Sequence, residues 1–128
     1  MLERGIEADL IPVCESNGIG LLPYYPIARG LLTGKYRRGR DAPAGSRLAG
    51  GDDLAAADFD LLERLEAYAR DHGYDLLTLA ISWLAAQPSI ACIISGASRP
   101  EQVTANANAA RWKLTTGNLA EIDALLGV

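Results

Sequence analysis

The sequence is short of the residues that most catalytic and metal centres are built from. It has a single histidine, His72, and two cysteines, Cys14 and Cys92. One histidine and two distant cysteines give no metal-ligand spacing, so no metal site is expected. A Ser-His-Asp arrangement around His72 has no support in spacing, and a helix-end or solvent-exposed role is expected for it. Both cysteines lie among apolar residues, so buried, reduced thiols are expected. Basic charge is also scarce: 12 Lys and Arg against 16 Asp and Glu leave a net charge of −4. That balance argues against nucleic acid or an anionic membrane surface as a partner. Long apolar runs are absent, and Glu3, Glu7 and Asp9 crowd the start. Neither a secretory leader nor a membrane span is read, and a cytoplasmic location is the default.

What is present suits a soluble globular domain. The chain has 128 residues, 49% hydrophobic and 22% charged, within the usual size of one domain. Hydrophobic periodicity predicts a helix over Ile6 to Ser16, made awkward by Pro12, with Asn17-Gly18 as its stop. Further helices are predicted at Asp58 to Asp71, Leu76 to Gln87, Pro100 to about Arg111, and about Thr116 to Leu126. Asp75 or Thr78 suits the start of the helix at Leu76, and Pro100 suits a first helical position. Ile19 to Tyr24 and Ile90 to Ser95 are short apolar runs that read as strands buried on both faces, as in parallel sheets. Between them, Pro26 to Asp53 is a long glycine-rich loop of the kind that is usually functional.

Two apolar strands separated by helices imply parallel α/β architecture. Two strands alone leave their edges open and their faces underfilled, so the chain reads as part of something larger, with self-association through the open edges as one outcome.

Two stretches follow directly on the strands. After the second, Gly96 permits close backbone approach, Ser98 and Arg99 offer a hydroxyl and a guanidinium, and a helix start adds free N–H groups. This suits a phosphate; the plain alternative is an ordinary strand-to-helix turn with Ser98 as cap. The basic cluster Lys35, Arg37, Arg38 and Arg40 reads either as a solvated loop or as a phosphate-facing one. Gly18-Ile-Gly20 lacks the third glycine of a dinucleotide fingerprint, and Gly30 to Tyr36 is too short for a P-loop.

The stretch Leu22-Pro-Tyr-Tyr-Pro-Ile-Ala-Arg-Gly-Leu-Leu-Thr-Gly-Lys-Tyr36 resembles the loop after the seventh barrel strand of aldo/keto reductases. Gly45-Ser-Arg47 resembles the end of that loop, and Ser95-Gly-Ala-Ser-Arg-Pro-Glu-Gln-Val-Thr-Ala-Asn106 resembles the loop and helix after the eighth strand. Leu2-Glu-Arg4 with Ile11-Pro-Val-Cys14, Ile81-Ser-Trp-Leu-Ala85 and Ile122-Asp-Ala-Leu125 fit as well. The resemblance implies the C-terminal part of a (β/α)8 barrel, with residues 1–128 as one incomplete barrel domain of two parallel strands and about five helices.

The same resemblance implies roles. Tyr24 is similar to the aromatic that stacks on a nicotinamide ring. Tyr25, Pro26, Ile27, Ala28, Arg29 and Gly30 resemble the stretch around the ribose and pyrophosphate. Lys35 and Arg47 resemble basic residues that meet phosphates. Gly96, Ser98, Arg99, Gln102 and Asn106 resemble the group around the 2′-phosphate and adenine, which favours NADP(H). Tyr25 departs from the resemblance, because serine is more frequent in its place. The family reduces small carbonyl compounds using Tyr, Lys, Asp and His residues from the first half of the barrel, none of which is matched here. The implied function is therefore the cofactor-binding portion of a carbonyl reductase without catalytic residues of its own. The alternative is a stand-alone or self-associating nucleotide-binding remnant.

Overall fold

Helix boundaries in the computed structural model, which describes residues 1–51 and 54–128, fall where side chains can take up free backbone groups. Helix α1 (Leu10–Ser16) starts two residues before Pro12, so the missing proline N–H falls in the first turn, where none is needed. The predicted helix from Ile6 is therefore broken into a 3-10 turn, Gly5–Glu7, and α1. Asp58 caps α2 (Phe59–Asp71) by accepting from the Leu61 N–H, and His72 closes it. Asp75 caps α3 (Leu76–Ala85) by accepting from the Thr78 N–H at 2.7 Å. Pro100 opens α4 (Pro100–Asn108), and a 3-10 turn, Ala109–Arg111, prolongs it. Thr115 and Asn118 form a reciprocal capping box on α5 (Thr116–Leu126), which ends on left-handed Gly127.

Helix α3 is the centre of the molecule. Eight of its ten residues are buried, and it touches α2, α4, the turn 109–111 and the 3-10 stretch Ala28–Thr33. Leu65 of α2, Leu79 of α3 and Ile122 of α5 are wholly buried in one cluster with Trp83 and Trp112. Each such aliphatic side chain contributes about 1.5–3 kcal/mol through loss of apolar surface from water. Of the two buried hydroxyls of α3, Thr78 and Ser82, the Ser82 hydroxyl donates to the Ala109 carbonyl at 2.8 Å. That bond ties the end of α4 to the core.

The two apolar runs differ from expectation. Among the described residues they form no extended ladder, only one parallel bridge between Leu21 and Ile90. The Leu21 N–H donates to Ser89 O at 2.8 Å, and the Ala91 N–H donates to Leu21 O at 2.9 Å. The parallel sense agrees with the sequence reading; the two strands, buried on both faces, do not. A strand exists only through its neighbours, and here each run has the other alone. Ile19, Leu22 and Ile94 are consequently 54%, 57% and 63% exposed. Cys92, expected to be buried, is exposed for the same reason, whereas Cys14 is buried. The long loop follows the first run; its expected last positions, Asp52 and Asp53, lie outside the described residues. Among the described residues, no helix is long and apolar enough to cross a membrane.

Candidate functional site

Because the bridge is parallel, the segments that follow Leu21 and Ile90 leave it in the same direction. One end of the molecule therefore carries both stretches singled out in the sequence. In the first, Tyr25, Ala28 and Arg29 take positive φ values of 51°, 47° and 54°, and Gly30 follows at 96°. For non-glycine residues this left-handed geometry costs roughly 1–2 kcal/mol each. The loop is fastened from several sides. Leu32 is buried in the core cluster, Thr33 Oγ1 donates to Gly30 O at 2.7 Å, and the Ile27 carbonyl accepts from Gly30 and Leu32. Pro26 and Ile27 are half-buried within it. Gly30 is required by its φ; a Cβ there would meet the flexible end of Lys35, Cε at 2.7 Å and Nζ at 2.8 Å, which can swing aside.

Aromatic rings hold the basic side chains of this loop. Tyr24 is 84% exposed and its ring centroid is 3.9 Å from that of Tyr25. The Arg29 and Arg47 guanidiniums lie 5.2 and 5.4 Å from the centre of the Tyr25 ring. Lys35 Nζ lies 4.9 Å from the centre of the buried Tyr36 ring. The Tyr36 hydroxyl accepts from the Leu48 N–H at 3.3 Å and so pins the far arm of the loop. The Tyr25 phenol is held below its ordinary value, first by the hydrogen bond from the Tyr24 hydroxyl and then by the nearby Arg47 and Arg29 charges. Tyr24 is pushed the other way by the same hydrogen bond.

Two members of the basic cluster are engaged elsewhere. Arg37 makes a two-pronged pair with Glu66, and Arg38 pairs with Asp60 and Glu63, all on α2. The cluster is solvent-exposed, as the solvated-loop reading has it, but not free: Arg37 and Arg38 lash the loop to α2, and Lys35 remains with the glycine turn.

The second stretch is simpler. Gln102 Oε1 accepts from the Ser98 N–H at 2.8 Å and from the Ser98 hydroxyl at 3.2 Å. Asn106 Nδ2 donates to Gly96 O at 3.4 Å. Gln102 and Asn106 therefore shape the turn. Ser98 does not cap α4; Arg99 occupies the cap position and makes no side-chain capping bond. Among the described residues, Lys35, Arg47 and Arg99 have no carboxylate partner. The exposed Tyr24 ring and the Arg47 cation in one stretch, and Arg99 at the start of α4 in the other, suit an anionic, ring-bearing ligand such as a nucleotide. The sequence reading missed Tyr36 as the pin of the far arm and Tyr25 as a seat for two arginines; the alternation Lys35-Tyr36-Arg37 was the available signal.

The family profile described as aldo/keto reductase matches residues 1–126. The chain belongs to the aldo/keto reductase family. It is 33% identical over 130 residues to the NADH-specific methylglyoxal reductase of Escherichia coli, covering 98% of this chain and 38% of that protein. It is 34% identical over 111 residues to a probable voltage-gated potassium channel subunit beta of Arabidopsis thaliana, covering 81% and 34%. Among solved structures it superposes on a glycerol dehydrogenase from Gluconobacter oxydans with a TM-score of 0.80 at 27% identity, over 98% of this chain and 39% of that one. The chain thus spans between about a third and two fifths of the length of these relatives. The superposition gives the chain the fold of the matched two fifths of that dehydrogenase.

Proposed function

We propose that this chain is the dinucleotide-holding part of a cytoplasmic carbonyl reductase, with NADP(H) as cofactor and a small aldehyde or ketone as substrate. The observation that carries this reading is Arg99. Its guanidinium has no carboxylate partner among the described residues and stands at the start of α4 beside Ser98, on the end where both stretches emerge. A guanidinium so placed suits a terminal phosphate, which distinguishes NADP(H) from NAD(H). One relative is named as NADH-specific, so the preference rests on this chain's own residues.

The donor set fits the cofactor. Tyr24 offers an open ring face for the nicotinamide; Tyr25 to Gly30, with Lys35 and Arg47, would hold the ribose and pyrophosphate. Ser98 and Arg99 would meet the 2′-phosphate, with Gln102, Asn106 and Gly96 shaping the turn around the adenine. Bound NADPH supplies the hydride that reduces a carbonyl carbon. No residue of this chain is assigned as proton donor, because Tyr24, Tyr25, Lys35 and His72 do not match the catalytic positions of the resemblance.

Titrating NADP+ and NAD+ into the 128-residue chain by calorimetry tests this. Saturable NADP+ binding is expected, and Arg99→Ala should weaken it by tenfold or more, given about 1.5–3 kcal/mol for a hydrogen bond to a charged group. NAD+ binding should barely change. Equal losses for both nucleotides, or no saturable binding, overturn the reading. No NADPH oxidation with an aromatic aldehyde is expected from the chain alone, and reproducible turnover would refute the lack of catalytic residues.

A second reading, a self-associating remnant, draws on exposed Ile19, Leu22 and Ile94 beside a lone bridge. A concentration-dependent dimer in sedimentation supports it; a monomer counts against it.

A further inference from the structure

We infer that Tyr25 is a positioning residue: its ring gathers the Arg29 and Arg47 guanidiniums at one place before any phosphate arrives. The inference rests on the nucleotide-binding reading for its purpose but not for its geometry.

Arg29 and Arg47 come from opposite arms of the long loop, and two like charges repel. The negative face of an aromatic ring attracts both. Both lie within 5.4 Å of the Tyr25 ring centre. The ring is itself held, because Tyr24 packs against it at 3.9 Å. The far arm is delivered by an independent contact: the Leu48 N–H donates to the buried Tyr36 hydroxyl, which places the adjacent Arg47. The backbone points the same way. Tyr25 has a φ of 51°, and a bulky residue keeps such a conformation only where its surroundings over-determine it. Serine, more frequent here in the resemblance drawn from the sequence, has no face to offer a guanidinium. Tyr25 joins the strand-end arm of the loop to the arm that ends at Arg47. A phosphate entering the loop meets two cations already assembled and does not have to order the far arm itself.

The test compares the 128-residue chain with Tyr25→Ser and Tyr25→Phe. Hydrogen exchange over residues 46–49 without ligand reads the order of the far arm, and NADP+ titration reads its use. Tyr25→Ser should speed exchange there and weaken NADP+ binding by about three- to tenfold, the worth of one or two exposed cation–π contacts. Tyr25→Phe keeps the ring and should restore both to within about twofold of the parent. The inference is overturned if Tyr25→Ser leaves exchange unchanged, or if Tyr25→Phe is as damaging as Tyr25→Ser. If exchange responds as expected but the parent chain binds no NADP+, the positioning role stands and the nucleotide reading falls. Should Tyr25→Ser fail to fold, Arg47→Ala at an exposed site gives the second readout. Ultraviolet titration should then show the Tyr25 phenol moving up towards its ordinary value, since the Arg47 charge helps to hold it down. An unmoved titration overturns the inference.

Discussion

The helical layer and the bridged pair of apolar runs both carry large aliphatic side chains, yet they end in opposite states. Helices α2, α3 and α5 are each capped by their own side chains and share a cluster in which Leu65, Leu79 and Ile122 lose all exposure. The runs around Leu21 and Ile90 keep one bridge and leave Ile19, Leu22 and Ile94 largely in water. A helix satisfies its backbone internally and needs only one face covered. A strand satisfies nothing without neighbours on either side. Local sequence therefore suffices for the first region and not for the second. The candidate site grows out of the less supported region, and it is held mainly by ties back to the helices: Leu32 in the core, and Arg37 and Arg38 on α2.

The largest expected effect tests that division directly. Leu79→Ala should cost about 2–5 kcal/mol in urea denaturation, because it opens a cavity in a fully packed site. Leu22→Ala, at a mostly exposed position, should stay within about 0.5 kcal/mol. Comparable losses at the two positions would mean that the bridged runs carry core energy after all, and the comparison would break.

The same division governs what could be read in the sequence. The helix starts at Asp75 and Pro100 were legible because end signals are local chemistry, and those near Asp58 and Thr116 because apolar residues recur at helical spacing. The fate of residues 19–24 and 90–95 was not, because strand pairing depends on partners anywhere in the chain or beyond it. In the site, Gly30 lay within the loop singled out in the sequence, and Gly96 to Arg99 within the stretch before α4. The Arg47 to Tyr25 contact was not legible, since it spans a loop whose closure is set by the Tyr36 to Leu48 hydrogen bond. The attachment of Arg37 and Arg38 to α2 was likewise hidden, although Asp60, Glu63 and Glu66 lie at helical spacing on one face.

A smaller effect probes the helical layer alone. The Asp75 side chain accepts from the N–H three residues on, whereas Asp9 accepts from its immediate neighbour Leu10. Only the first geometry satisfies an interior first-turn donor. Asp75→Ala should therefore cost about 0.5–2 kcal/mol. Asp9→Ala, at the start of a helix with exposed Leu10 and Val13, should cost less in the same denaturation series. A larger loss at Asp9 would show that α1 belongs energetically with the capped core helices.

The finest test uses two tyrosines that the two regions perturb in opposite directions. Tyr68 sits on α2 against His72 and Trp112, donates its hydroxyl to Glu121 at 2.7 Å and accepts from Asn118 Nδ2 at 3.2 Å. Burial, then the Glu121 carboxylate, push its phenol above the ordinary value, with Asn118 opposing in part. The sign follows from linkage: between the unfolded pKa near 10 and the higher folded one, the unfolded state has released a proton that the folded state keeps. Stability from this group is complete below about pH 10 and is lost as pH rises through the folded pKa. Glu121→Gln should bring the phenol down and flatten that loss. Tyr25, in the loop, is displaced downward by Tyr24 and the two arginines, and its exposure leaves little coupling to unfolding. Ultraviolet titration at rising pH should thus resolve an early group, Tyr25 and Tyr36, from which Tyr25→Phe removes one, and a late group, Tyr24 and Tyr68, from which Tyr68→Phe removes one. If the two variants remove the same phase, then burial in the helices and cation contacts in the loop do not act as separate environments, and the contrast between the regions fails where it should be easiest to see.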